Sequence, residues 1–240
     1  LFSLSPTAYG QNVGAWEIEE TNVKPWLVSD FIKYQGVYHF GEGDGSNLIL
    51  LINDSTITVQ IRETGYWTEG GYAVESGIAK LSELEMKWEF KNLTNVTIKG
   101  DKFYSDQYQG EFVTYTDSTG QYSGLKINNP WNTWVGKDRY EIGFRLTDFE
   151  MARWFPGKYP KTSTQHLKST DLDTLTKEDL KIMRNEIFAR YDYAFEKEGE
   201  MDIYFQQQAW YRNRYADVSG FLTNIELANI EIIKRLEDTR

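Results

Sequence analysis

The chain has 240 residues and a net charge of −10, with acidic residues outnumbering basic ones in both halves, which argues against binding to nucleic acid or to an anionic membrane. With 40% apolar and 15% aromatic residues it has the side chains to build one large domain or two smaller ones, and the two-domain reading fits its pattern better. Cysteine is absent, which excludes disulfides, thiolate metal sites and cysteine nucleophiles, and the longest aliphatic run, Leu48 to Ile52, is far too short to span a bilayer as a helix.

Residues 1–33 read as a lead-in segment in which Pro6, Gly10, Gly14 and Pro25 interrupt any sustained period, leaving one strand near residues 15–18. From Tyr34 the chain turns to short runs of branched and aromatic residues broken by Gly, Asn and Asp, the pattern of antiparallel strands. Strands are predicted near residues 34–40, 47–52, 56–62, 71–79, 84–90, 94–99, 110–116, 121–127 and 138–146. Asn53-Asp54 has the chemistry of a tight hairpin, and Asp117-Ser118-Thr119-Gly120 separates two further runs.

So many meandering strands expose edges unless they close, which predicts an antiparallel β-barrel over residues 34–155, with a β-sandwich as the alternative. The up-and-down succession beginning at Gly36-Val37-Tyr38 resembles the lipocalin-like (calycin) barrels. Trp67, Trp88, Trp131 and Trp134 either line a cavity for a small apolar ligand or plug the interior. Gly41-Glu42-Gly43-Asp44-Gly45 is a glycine-rich hairpin tip or a weak calcium loop, without the ligand spacing that calcium loops use. His39 and His166 are too few for a histidine metal cluster, and no nucleophile elbow, phosphate loop or zinc-protease helix is present. No metal, cofactor or catalytic residue is assigned.

Pro156, Gly157 and Pro160 end the strand pattern and mark a linker over residues 156–170. Residues 171–240 then read as a small three-helix domain, so that the whole is a two-domain α+β chain. Thr176 precedes Lys177-Glu178-Asp179 as an N-cap with acidic residues in the first turn, and Leu180, Met183, Ile187 and Tyr191 recur on one face. A second helix is predicted near residues 201–208. Thr223-Asn224-Ile225-Glu226 is a capping box opening a third, with Leu227, Ile230, Ile233 and Leu236 as its apolar side.

The stretch from Arg184 to Phe195, together with Leu180, Met183, Tyr204-Phe205, Trp210-Tyr211 and the Leu222 to Ile233 helix, resembles the YARHG domain, a small helical module of bacterial envelope and extracellular proteins. Of the naming pentapeptide Ala189 and Arg190 remain, while Phe188, Tyr191 and Asp192 stand where the family has tyrosine, histidine and glycine. The resemblance brings no biochemical activity. It implies an extracellular or periplasmic address, with any lipid anchor attached upstream of Leu1.

Arg184, Asn185 and Arg190 form a candidate site for an anion or carboxylate, since guanidinium groups offer planar forks of donors. The competing reading pairs both arginines with nearby carboxylates such as Glu186, Asp192 or Glu196. Trp210 and Tyr211 either stack a planar ligand or fill the core. The function expected is therefore a non-catalytic binding or scaffold protein whose partner is a small apolar ligand or a cell-envelope component. The alternative is an enzyme acting on cell-wall peptide or glycan through carboxylate acid-base residues.

Overall fold

A computed structural model of the chain describes residues 20–41, 46–54, 56–68, 71–72, 85–116, 120–131, 139–146 and 151–240. The expected strand at 15–18, the Glu42 to Gly45 part of the glycine-rich loop, Asp117 to Thr119, most of the 71–79 strand and Trp134 lie outside these residues. The chain divides into two compact units, Leu1–Leu50 with Val59–Thr147, and Leu51–Thr58 with Asp148–Arg240.

The first unit is built on a curled antiparallel sheet, a half-barrel, in which only the Leu51–Thr58 hairpin is grouped with the second unit. Its strands are β1 Val23–Pro25, β2 Gly36–Phe40, β3 Ser46–Asn53, β4 Thr56–Thr68, β5 Gly71–Tyr72, β6 Glu85–Asn92, β7 Thr97–Lys99, β8 Lys102–Tyr104, β9 Gln109–Thr116, β10 Gln121–Asn128 and β11 Tyr140–Arg145. Neighbours run β5-β4-β3-β2-β11-β10-β9-β8-β7, with β6 paired to β4 and β1 to β9. The first long strand therefore bonds to the last, Phe144 opposite His39 and Arg145 opposite Tyr38, which is the closing contact of an up-and-down meander. This is the arrangement expected of a lipocalin-like domain. The described ladders leave one seam, between β6 and the β7–β9 edge.

Curling follows from the interior. Tyr38 on β2 and Phe112 on β9 are separated in the sheet by β11 and β10, yet their rings meet at 5.9 Å. Tyr34 stacks on Phe112 at 3.8 Å and Phe103 meets the same ring edge-on at 6.3 Å, all four side chains being fully buried. Each such ring contributes about 1.5–3 kcal/mol by leaving water. Gly143 permits the close approach of Phe40 to β11, because a Cβ there would lie 2.3 Å from the Phe40 ring. The other face carries a smaller cluster of Val113, Tyr115 and Ile142. Sequence pattern did not reveal β8, nor the extension of β4 to Thr68; Asp54, with φ 50°, turns the β3–β4 hairpin as expected.

In the second unit the helices are α1 Met151–Trp154, α2 Lys161–Thr164, α3 Lys177–Ala189, α4 Glu200–Gln206 and α5 Asn224–Thr239. Both expected caps form: Thr176 and Asp179 make a capping box at α3, and Thr223 and Glu226 another at α5. The α3 stripe of Leu180, Met183 and Ile187 is buried as its spacing predicts. On α5 the buried stripe is Ile225, Asn229 and Ile233, whereas Leu227 is 49% exposed. An asparagine replaces a leucine in the core because its amide has backbone partners there.

Candidate functional site

Among the described residues two places gather chemistry-bearing side chains, and each lies within one unit. The first is the polar frame around α3. Arg190 and Glu186, one helical turn apart, form an ion pair with both side chains only 2% exposed. Glu186 also accepts from the amides of Lys158 and Tyr159, each at 2.7 Å. Arg190 Nε donates to the Pro156 carbonyl at 2.8 Å, and its Nη1 to the hydroxyls of Thr162 at 2.8 Å and Ser163 at 2.9 Å. Burial pushes the Glu186 carboxyl up, against the pull of the Arg190 guanidinium and the two amides.

Gly157 makes this approach geometrically available. Its φ is +116°, and a Cβ would sit 2.3 Å from the Glu186 carboxyl carbon. Further along, Asn229 donates to the carbonyls of Thr162 and Gln165, both at 2.8 Å, and accepts from the Leu167 amide at 2.9 Å. Residues 156–167 are thus strapped to α3 and α5 by three polar side chains, with α2 inside the strap.

The remaining predicted residues are also engaged. Arg184 reaches Glu237 on α5 with Nε at 2.8 Å and Nη2 at 3.2 Å, so the pair is two-pronged. Asn185 donates to the Lys181 carbonyl of its own helix at 2.8 Å. Tyr211 is 4% exposed and its hydroxyl donates to the Tyr193 carbonyl at 2.6 Å. Trp210 is half-buried against the core of Ala189, Met201, Phe205 and Tyr211. Arg184 and Arg190 therefore hold different carboxylates. Of the partners the sequence suggested, Glu186 serves Arg190, while Glu237 was not foreseen.

The three departures from the family's naming pentapeptide fall at the turn ending α3. Asp192, where the family has glycine, takes φ +57°, a left-handed conformation that aspartate tolerates better than most residues. Its carbonyl accepts from the amides of Arg214 and Tyr215, and Oδ1 accepts from the Arg212 amide at 3.1 Å. Tyr191, in the histidine position, donates to Glu226 Oε2 at 2.7 Å, joining this turn to the cap of α5. Phe188 packs on Tyr193 at 6.0 Å.

The second place is a cavity of about 260 Å³ in the half-barrel, lined by Ile61, Glu63, Glu89, Lys91, Tyr108 and Trp131. On the β4–β6 ladder Glu63 stands opposite Glu89 and Ile61 opposite Lys91, so alternation puts all four on one face. Trp88 is opposite Thr64 and faces the other way. Trp131 is the one tryptophan of the expected four that the described residues place in the lining. It is held by Nε1 donating to Ser46 Oγ at 2.8 Å and by Phe40 at 4.7 Å. The lining is more polar than an apolar-ligand pocket requires. Burial, and then Glu89, push the Glu63 carboxyl above the usual range, with Lys91 opposing. Neither glutamate was legible beforehand; the alternation of Ile61 with Glu63, and of Glu89 with Lys91, was the available signal.

Elsewhere His39 is buried and bonded to Asn47 at 3.0 Å, and His166 is exposed. Among the described residues no group of three His, Asp or Glu side chains could hold a metal ion, and no helix is long and apolar enough to cross a membrane.

Comparison with curated proteins and with solved structures returns no match. Residues 158–238 match the family model described as the YARHG domain. The match begins at Lys158, whose amide meets Glu186, and ends in the last turn of α5, so it takes in α2 to α5 and nearly the whole strap. What residues 158–238 of this chain are similar to is therefore the YARHG domain.

Proposed function

We propose that the chain is a non-catalytic binding or scaffold protein of the bacterial envelope or extracellular space, secreted or lipid-anchored. The YARHG domain serves as a rigid support, and the half-barrel carries the contact with the ligand. One observation carries this division: Arg184, Asn185 and Arg190 are each occupied by internal partners, whereas the half-barrel cavity keeps two carboxylates facing open space. A donor already bonded inside the fold must give up that bond before it can bind a ligand. The envelope address rests on the family alone.

The test is retention of an envelope component, wall fragment or lipid, by the purified chain passed over fractionated bacterial envelopes. Retention that survives Arg184→Ala but not Glu63→Gln supports the reading; retention lost with Arg184→Ala alone, or no retention at all, contradicts it. A second reading is favoured by the Glu63–Glu89 pair itself, since two facing carboxylates beside aromatic rings suit acid-base cleavage of a glycan. Turnover of wall glycan fragments that disappears with Glu63→Gln would select it over pure binding.

A further inference from the structure

Like charges directly opposite one another weaken an antiparallel ladder, yet Glu63 faces Glu89 across β4 and β6 in the lining of a cavity. Among the described residues neither carboxylate has a hydrogen bond or an ion pair within 4.0 Å; Glu63 is partly buried and Glu89 is exposed at the rim. Lys91 does not fill that role. Its Nζ donates to the Tyr108 hydroxyl at 3.2 Å and lies 5.1 Å from the centre of that ring, drawn towards the aromatic wall. Tyr108 in turn meets Trp131 edge-on at 5.5 Å, and Trp131 is fixed by Ser46 and Phe40. The result is a cavity lining that joins two aromatic rings to a pair of carboxylates, with a single excess negative charge once Lys91 is counted.

We propose that this cavity binds a small organic ammonium ion, its positive group between Glu63 and Glu89 and its carbon chain against Trp131 and Ile61. One positive charge brings the lining to neutrality and relieves the cross-strand repulsion. The aromatic wall adds attraction for a cation that has shed part of its water. A volume of about 260 Å³ selects a ligand of few heavy atoms. This assignment rests on the reading of the half-barrel as the binding part, and it narrows the ligand to a charge class.

The experiment uses the full chain, n-butylammonium as probe and n-butanol as its uncharged counterpart, with the Trp131 indole N–H resonance followed by NMR and assigned through Trp131→Phe. The expected result is a saturable shift with n-butylammonium, none with n-butanol, and at least a tenfold weaker affinity in Glu63→Gln and in Glu89→Gln, equivalent to about 1.4 kcal/mol. Equal binding of both probes would overturn the ammonium assignment while leaving a binding half-barrel in place. No shift with either probe, in a chain that still retains an envelope component, would move the binding site elsewhere; no shift and no retention would remove both readings. An unchanged affinity in both glutamine variants would also overturn the proposal. Preserved amide spectra of those variants exclude unfolding as the cause of any loss.

Discussion

Replacing Arg190 by methionine keeps the aliphatic stem and removes the guanidinium, which leaves the Glu186 carboxylate with two amide donors but no counter-charge in a site where both side chains are 2% exposed. The carbonyl of Pro156 and the hydroxyls of Thr162 and Ser163 lose their donor in the same step. Breaking a buried ion pair by removing one partner costs about 3–5 kcal/mol, mostly the penalty of the uncompensated charge. At about 4–8 °C per kcal/mol for a domain of this size, the helical transition should fall by more than about 10 °C when followed by far-ultraviolet circular dichroism. Burial already raises Glu186 in the folded state, and loss of Arg190 raises it further. A carboxyl whose folded pKa lies above its unfolded value contributes stability that is present below the unfolded value and lost as pH rises through the folded one. The deficit of Arg190→Met should therefore shrink towards about pH 4 and grow towards neutrality. Adding Glu186→Gln, which removes the stranded charge, should recover part of the loss. A deficit below about 1 kcal/mol, the level of an exposed pair, would refute the reasoning.

Gly157→Ala should destabilise the helical unit by about 2 kcal/mol or more, since the new methyl meets the Glu186 carboxyl at a positive φ; a neutral denaturant midpoint would contradict it. At Asp192 the left-handed backbone predicts that asparagine is tolerated while valine costs about 1–2 kcal/mol, with urea melts as the measurement. Asp179 is held well below the usual carboxylate range by Lys158 first, then by Tyr159 and Thr176. A depressed folded pKa contributes stability above the unfolded value of about 4, lost as pH falls through the folded one. Asp179→Asn should accordingly flatten the acid side of the stability profile, and an unchanged profile would show that this cluster does not contribute.

What could be read from the sequence was what depends on neighbours in the chain. The caps at Thr176 and Thr223 are decided within four residues, and the α3 stripe of Leu180, Met183 and Ile187 within two turns. The alternation of the strands announced the antiparallel half-barrel, but not which residue faces which, because register is settled by ladders and turns. That is why Glu63 and Glu89, 26 positions apart, gave no advance sign of meeting. Arg190 illustrates the same limit: Glu186 lies one turn away and was foreseen, whereas Pro156 and Thr162 are brought in by a strap that prolines and a glycine had marked as a linker. Asn229 supplanted Leu227 in the α5 stripe because hydrogen bonds to Thr162, Gln165 and Leu167 offset the burial of its amide, and periodicity sees only apolarity.

The division of labour between the two units is tested most directly by titrating n-butylammonium into the intact chain while reading the Trp131 indole resonance, in the wild type, Glu63→Gln and Arg184→Ala side by side. A saturable shift that weakens at least tenfold in Glu63→Gln, about 1.4 kcal/mol, and persists in Arg184→Ala is the predicted result. A shift indifferent to Glu63, or one abolished by Arg184→Ala in a chain that remains folded, would contradict the account.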